Sequence, residues 1–287
     1  MTLQFEQLPA REQAGLAIEP YDKWRTLDGD VAASFYRAAP GYLLRFPDCA
    51  DFAIDLDLQI VRCTPAPDMA EENIADLYFN QILPLLMGYA GDPVLHASGI
   101  AIDGVAVGFI GPTGRGKSTL AAAFARAGFP FLTDDGLILD PSDTGYCVRP
   151  RRPILRLCAD SEAAILDRHA PLPEVELWKE RLHASAEIPF HDTAVPLAAL
   201  YVLAEPSGCK QTMITKLTPT EALSALMGHS FILDVEDRPR VRALFNRLGD
   251  VAEQIGCYSL DYPRDYADLP SVLEAIITNA RKGDKCS

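Results

Sequence analysis

GFIGPTGRGKSTLAAAFARAGFPFLTDD, residues 108–135, decides how the rest of this chain is read. Its first half, Gly111-Pro112-Thr113-Gly114-Arg115-Gly116-Lys117-Ser118, fits the pattern GxxxxGK[ST] at every fixed position. The glycines let successive backbone N–H groups turn inward around a phosphate, and the helix that follows adds the positive end of its dipole. Lys117 can reach the β- and γ-phosphates of a nucleotide, and the Ser118 hydroxyl can hold Mg2+. From average residue frequencies, a chance match in a chain of this length is on the order of one in a hundred. Gly111 to Thr119 is therefore the expected nucleotide-binding loop. The sequence predicts a helix from Lys117 to Ala127 with Gly128 as its stop.

The second half ends in FPFLT followed by Asp134 and Asp135, sixteen residues after Ser118. An apolar run of this kind is expected to pack beside the loop strand. A carboxylate at its end, from Asp134 or Asp135, can bind the Mg2+ held by Ser118. One acid suffices for the metal. The second can accept the proton of an attacking hydroxyl. Two acids at a strand end also read as an ordinary solvated turn.

Upstream, VLHASGIAI (94–102) and VAVGFIG (105–111) flank Asp103-Gly104, a strong short hairpin signal. The strand feeding a phosphate loop is ordinarily one of a parallel set, so a hairpin here is unusual. His96 falls in the first hairpin strand. A lone histidine in a strand is commonly a satisfied core residue, but the far end of this strand is expected near the aspartates.

Working outward, residues 1–66 read as a β-rich region. Phe52, Ile54, Leu56, Leu58 and Ile60 alternate with polar or small residues as in one half-buried strand. Thr64-Pro65-Ala66-Pro67 is the expected boundary with a second domain over 67–287. That domain opens on a helix capped by Asp68 with Glu71, with Pro84 as a kink. Beyond the Asp pair, LILD (137–140) is expected to hairpin back. Helices follow near 160–168 and 174–184, then strands at 197–204 and 212–217. A helix capped by Thr218, Pro219 and Glu221 comes next, then a helix over 238–255, a strand at 257–262 and a helix over 268–281. The class is mixed α/β.

A binder of nucleic acid or of an anionic membrane needs a basic face, and the formal net charge of -14 argues against both as partners. No apolar stretch approaches the ~20 residues of a bilayer span, and the N-terminus lacks the pattern of a secretory leader. The 7 cysteines include no CxxC and no Cys/His cluster, which suits buried thiols in a reducing compartment. The expectation is a cytoplasmic chain, with a homo-oligomer left open. Arg149, Arg151, Arg152 and Arg156 form a basic run that is either a solvated loop or, through Arg156, a phosphate contact. Lys216 is a weaker candidate. His169, His183, His191 and His229 show no metal spacing and read as structural.

Taken together, LHASG, the hairpin, the phosphate loop, the helix ending in Gly128 and the strand ending in Asp134-Asp135 resemble the catalytic domain of bacterial HPr kinase/phosphorylase. More distantly they resemble the phosphoenolpyruvate carboxykinase-like P-loop fold. The correspondence covers about residues 94–140. It implies a mixed-sheet P-loop core, ATP and Mg2+ as cofactors, and an active site of His96, Lys117, Ser118, Asp134 and Asp135, with Asp134 on the metal and Asp135 favoured as the base. That family carries an E-x-R-G-x-G-type segment after the Asp pair, tied to dephosphorylation, whereas this chain has RPRRPILRLCADSE (149–162). With YLLRF (42–46) and DFAI (51–54) upstream, the chain is most similar to HPr-kinase-like offshoots that phosphorylate the C-terminal serine of lasso-type precursor peptides. The implied activity is transfer of the γ-phosphate to a serine of a peptide or protein. A kinase for a small-molecule alcohol and a nucleotide-gated regulatory module without transfer remain as alternatives.

Overall fold

In the computed structural model, which describes residues 3–26, 28–143, 145–166 and 180–283, the chain divides into Met1–Leu83 and Pro84–Ser287. The first unit holds strands β1 (Gln4–Gln7), β2 (Asp22–Arg25), β3 (Val31–Ala38), β4 (Gly41–Phe46), β5 (Ala50–Asp55) and β6 (Ile60–Pro65). They form one sheet in the order β1-β6-β5-β4-β3-β2, antiparallel except where β1 runs parallel to β6. The alternation over 52–60 does not mark one strand. Leu58 N–H donates to Asp55 Oδ1 at 2.9 Å, Gln59 takes φ 55°, and Leu58 is 62% exposed. Those residues form the turn of a hairpin, where alternation carries no burial.

A helical run follows as α1 (Glu71–Leu77), a π-turn over Tyr78–Ile82, and α2 (Leu83–Ala90). The expected capping box is absent. Ala70 occupies the N-cap without a side-chain bond, and Asp68, at φ 62°, lies in the preceding turn. The π-turn precedes Pro84: Leu83 N–H donates to Tyr78 O, five residues back. The division between the two units falls within this run. Ile74, Tyr78 and Ile82 are buried, and the Tyr78 ring lies 4.4 Å from that of Phe5 in β1.

The second unit contains β7 (Val94–Leu95), β8 (Ala97–Ile102), β9 (Val105–Ile110), α3 (Lys117–Arg126) and β10 (Phe131–Thr133). Next come β11 (Leu137–Ser142), β12 (Gly145–Arg149), β13 (Ile154–Leu157), α4 (Ala159–Leu166) and β14 (Glu180–His183). The remainder is β15 (Val195–Leu203), β16 (Met213–Lys216), α5 (Pro219–Gly228), α6 (Arg238–Gln254), β17 (Gly256–Asp261) and α7 (Leu269–Gly283). The main sheet runs β10-β8-β9-β15-β12-β11-β7, with β17 also on β15 and β16 on β17; β13 and β14 pair separately.

Asp103 (φ 50°) and Gly104 (φ 87°) turn the β8–β9 hairpin as the dipeptide predicts. On its other side β9 runs parallel to β15, and β15 parallel to β17. The fold is thus mixed α/β with a mixed sheet, and β9 belongs to both the hairpin and the parallel set. Other sequence expectations are corrected. FPFLT does not flank β9; β10 pairs with β8, one strand further out. LILD does not fold back on β10, because β11 pairs with β12 and β7. The helix expected over 174–184 lies largely outside the described residues, and its end, Glu180–His183, is a strand on β13. The 149–157 run, for which a solvated loop is one of two readings, contains β13, where Leu155 and Leu157 are buried in alternation.

Both faces of β9 are buried, as a central strand requires. Val107 and Phe109 face a core shared with α3 and α7, while Ala106 and Ile110 face one shared with α5 and α6. Phe109 stacks on Phe124 of α3, with ring centroids 5.8 Å apart. Among the described residues, no helix is long and apolar enough to cross a membrane. Phe109→Ala removes a fully buried ring where strand and helix meet, so it should cost about 3–5 kcal/mol. Urea unfolding followed by circular dichroism checks this; a loss below about 1 kcal/mol would mean that the core closes over the gap.

Candidate functional site

Residues 111–116 bridge the end of β9 to the start of α3. Gly114 (φ 80°) and Gly116 (φ 95°, at the helix N-cap) hold left-handed conformations that side chains disfavour. At Gly116 a Cβ would also come within 2.6 Å of the Tyr262 hydroxyl. Lys117 straps the loop, its Nζ donating to Gly111 O at 2.7 Å and Pro112 O at 3.1 Å. The loop lines a cleft of about 350 Å3 whose other wall includes Arg156, Tyr262, Arg264 and Tyr266.

Three strand ends meet at this edge. Ala97 pairs with Ile110, so β8 begins where β9 ends, and β10 runs antiparallel to β8 and ends beside its start. Asp134 and Asp135 follow β10 directly and are 8% and 3% exposed. Adjacent residues in an extended strand point to opposite faces. Here Asp135 takes φ 58°, and Arg156 touches both acids: its backbone N–H donates to Asp134 Oδ2 at 2.8 Å, its Nη1 to Asp135 Oδ2 at 3.0 Å.

Asp134 Oδ1 accepts two hydroxyls, Ser118 Oγ at 2.9 Å and Ser98 Oγ at 2.5 Å. His96 lies in a break between β7 and β8 and not within a continuous strand. Its N–H donates to His229 O at 2.7 Å, its ring packs on Phe231, and its Nε2 is 4.0 Å from Asp135 Oδ1. The structure therefore brings together Ser118, Asp134, Asp135, His96 and Arg156, with Lys117 beside Ser118 at the start of α3.

Charge around the acids is mostly positive. Burial pushes the buried Arg151 guanidinium down to about 10, with Arg152 adding to the shift and Asp135 opposing it. His229 is held below its ordinary value by burial and by the charge of Lys117. The remaining candidates lie elsewhere: Arg149 pairs with Asp140, and Lys216 is exposed on β16. His169 falls outside the described residues.

The donor set suits a hard cation. Among the described residues no three His, Cys, Asp or Glu converge on a metal position. Ser118 Oγ and Asp134 Oδ1, however, offer two oxygens 2.9 Å apart where the phosphate loop becomes helix, and Mg2+ is commonly held by one or two carboxylates together with phosphates and waters.

Sequence reasoning missed Ser98, Tyr262 and Arg264. Arg264 secures the loop from outside, donating to Arg115 O at 2.7 Å and Ala204 O at 3.1 Å while lying over the Tyr262 ring. The available signal was Pro263-Arg264 closing an apolar strand. His229, read as structural, proves to hold the backbone of His96.

No family model and no curated protein matches the chain. Among solved structures, it is similar to the Hpr(Ser) kinase/phosphatase from Coxiella burnetii at 14% identity and a TM-score of 0.37, covering 67% of this chain and 98% of that one. That similarity is too low to place the chain in a family.

Proposed function

We propose that this protein is an ATP- and Mg2+-dependent kinase that transfers the γ-phosphate to a serine hydroxyl of a peptide or protein. The observation that carries the reading is the meeting of Ser118 Oγ and Asp134 Oδ1 at 2.9 Å, with a second buried carboxylate one residue on. A nucleotide sensor has use for the first acid but not for the second.

The loop amides and Lys117 would hold the β- and γ-phosphates, with the N-terminal dipole of α3 behind them. Ser118 and Asp134 would hold Mg2+, which when bound offsets the charge spread over the transferring phosphoryl group. Asp135 is the proposed base. Its Oδ2 accepts from Arg156 Nη1 at 3.0 Å, and its Oδ1 lies 4.0 Å from His96 Nε2. An acceptor O–H would donate to Oδ1, its oxygen would form the new bond to the γ-phosphorus, and the bond to the β-phosphate oxygen would break to leave ADP. Positioning and fixed charges supply most of such a reaction.

For the acceptor we favour a serine at a peptide's C-terminus, in line with the precursor-peptide kinases to which YLLRF and DFAI, upstream of the LHASG stretch, are similar. A chain end approaches a buried carboxylate more easily than a serine flanked by backbone on both sides.

Lys117→Ala should weaken ATP binding and abolish transfer; near wild-type turnover in that variant would remove the loop from the catalysis. Asp135→Asn should leave ATP affinity nearly intact and lower kcat by ~10²–10⁴. Unchanged turnover there would return Asp135 to a structural role. Tandem mass spectrometry of peptides incubated with ATP should place the phosphate on a terminal serine, and an internal serine or a sugar as the phosphorylated group would overturn that assignment.

A further inference from the structure

We infer that Ser98 is a positioning residue for metal binding, holding the Asp134 carboxylate in place when Ser118 turns to the cation; the inference rests on the kinase reading of the site. Ser98 lies in β8, its backbone paired with Phe109 of β9, and is 0% exposed. Its hydroxyl is the closer of the two on Asp134 Oδ1, at 2.5 Å against 2.9 Å for Ser118.

The two hydroxyls differ in what they can reach. Ser118 lines the cleft beside the phosphate loop, whereas Ser98 is not among the residues lining it. A cation in the cleft can therefore draw Ser118 away from Asp134 but leaves Ser98 where it is. A carboxylate oxygen carries two lone-pair positions, and here both are filled by hydroxyl donors. Once Ser118 turns to the cation, one of these positions is released and the other stays fixed by Ser98. At the opposite end of the carboxylate, the Arg156 N–H fixes Oδ2 at 2.8 Å. With a donor at each end, the carboxylate cannot rotate out of the ligand geometry. Partners of this kind, which orient a ligand without touching the metal, typically change metal affinity by ~10–100-fold when removed.

The hairpin explains why this residue is available. Position 96, just before β8, and position 98, within it, are two apart, and they serve the two neighbouring acids separately, His96 facing Asp135 and Ser98 bonding Asp134.

The test uses the full chain with ADP, following Mn2+ binding by electron paramagnetic resonance and metal-free ADP binding by calorimetry. Ser98→Ala should leave metal-free ADP affinity within about twofold of wild type and weaken Mn2+ binding to the ADP complex by ~10–100-fold. Mn2+ affinity within threefold of wild type would overturn the inference while leaving the kinase reading intact. A wild-type protein whose ADP complex binds no Mn2+ would overturn both. Should Ser98→Ala fail to fold, Ser98→Thr, which keeps a hydroxyl on the same carbon, decides: Mn2+ affinity near that of wild type supports the role, and a loss of tenfold or more contradicts it.

Discussion

Asp134 accepts hydrogen bonds from three separate elements: Ser98 of β8, Ser118 of α3 and the backbone of Arg156 in β13. A carboxylate this buried is costly to desolvate unless donors surround it. Those donors can converge only if β10 ends where β8 begins, α3 starts at the same edge, and β13 closes over the top. The strand order of the second unit, the register of the hairpin and the seating of α3 against the sheet all serve that convergence. The adjacent Asp135 joins it through one left-handed residue, which lets Arg156 bridge both acids.

The hairpin gives this edge a composition that an all-parallel sheet could not. In a parallel set, only the C-terminal ends of strands reach the phosphate loop. Because β8 runs against β9, its N-terminal end arrives there as well, bringing His96 and Ser98. Parallel pairing is kept on the other side of β9, where β15 and β17 end near the loop and Arg264, just past β17, bonds the carbonyl of Arg115. The cleft wall opposite the loop thus comes from residues about 150 positions downstream, around Tyr262 and Tyr266.

What could be read from the sequence follows from how local each signal is. The Asp-Gly turn, the glycines of the loop, the Gly128 stop and the Thr218 capping box are specified within a few residues, and each formed as expected. Strand neighbours are not specified locally, so β10 was expected beside β9 and β11 on β10. Leu58 shows the opposite failure, a correct period without burial, because Asp55 and Gln59 make a turn. Of the site, Lys117, Ser118 and the Asp pair were legible, being carried by one continuous stretch. Arg156 stood out only as a charge in an acidic chain. Ser98 had no signal beyond sitting two residues after His96, since its role depends on a contact across 36 positions.

The central claim is that the phosphate loop and the strand-end carboxylate form one metal–nucleotide site. A double-mutant cycle of Ser118→Ala and Asp134→Ala, read on the Mg2+-dependent part of ATP binding by calorimetry, tests it most directly. If both residues hold the same cation, the two losses should be strongly non-additive, with a coupling of about 0.5–3 kcal/mol, the double variant losing little more than either single one. Additive losses, or ATP binding indifferent to Mg2+ in the wild-type protein, would contradict the account.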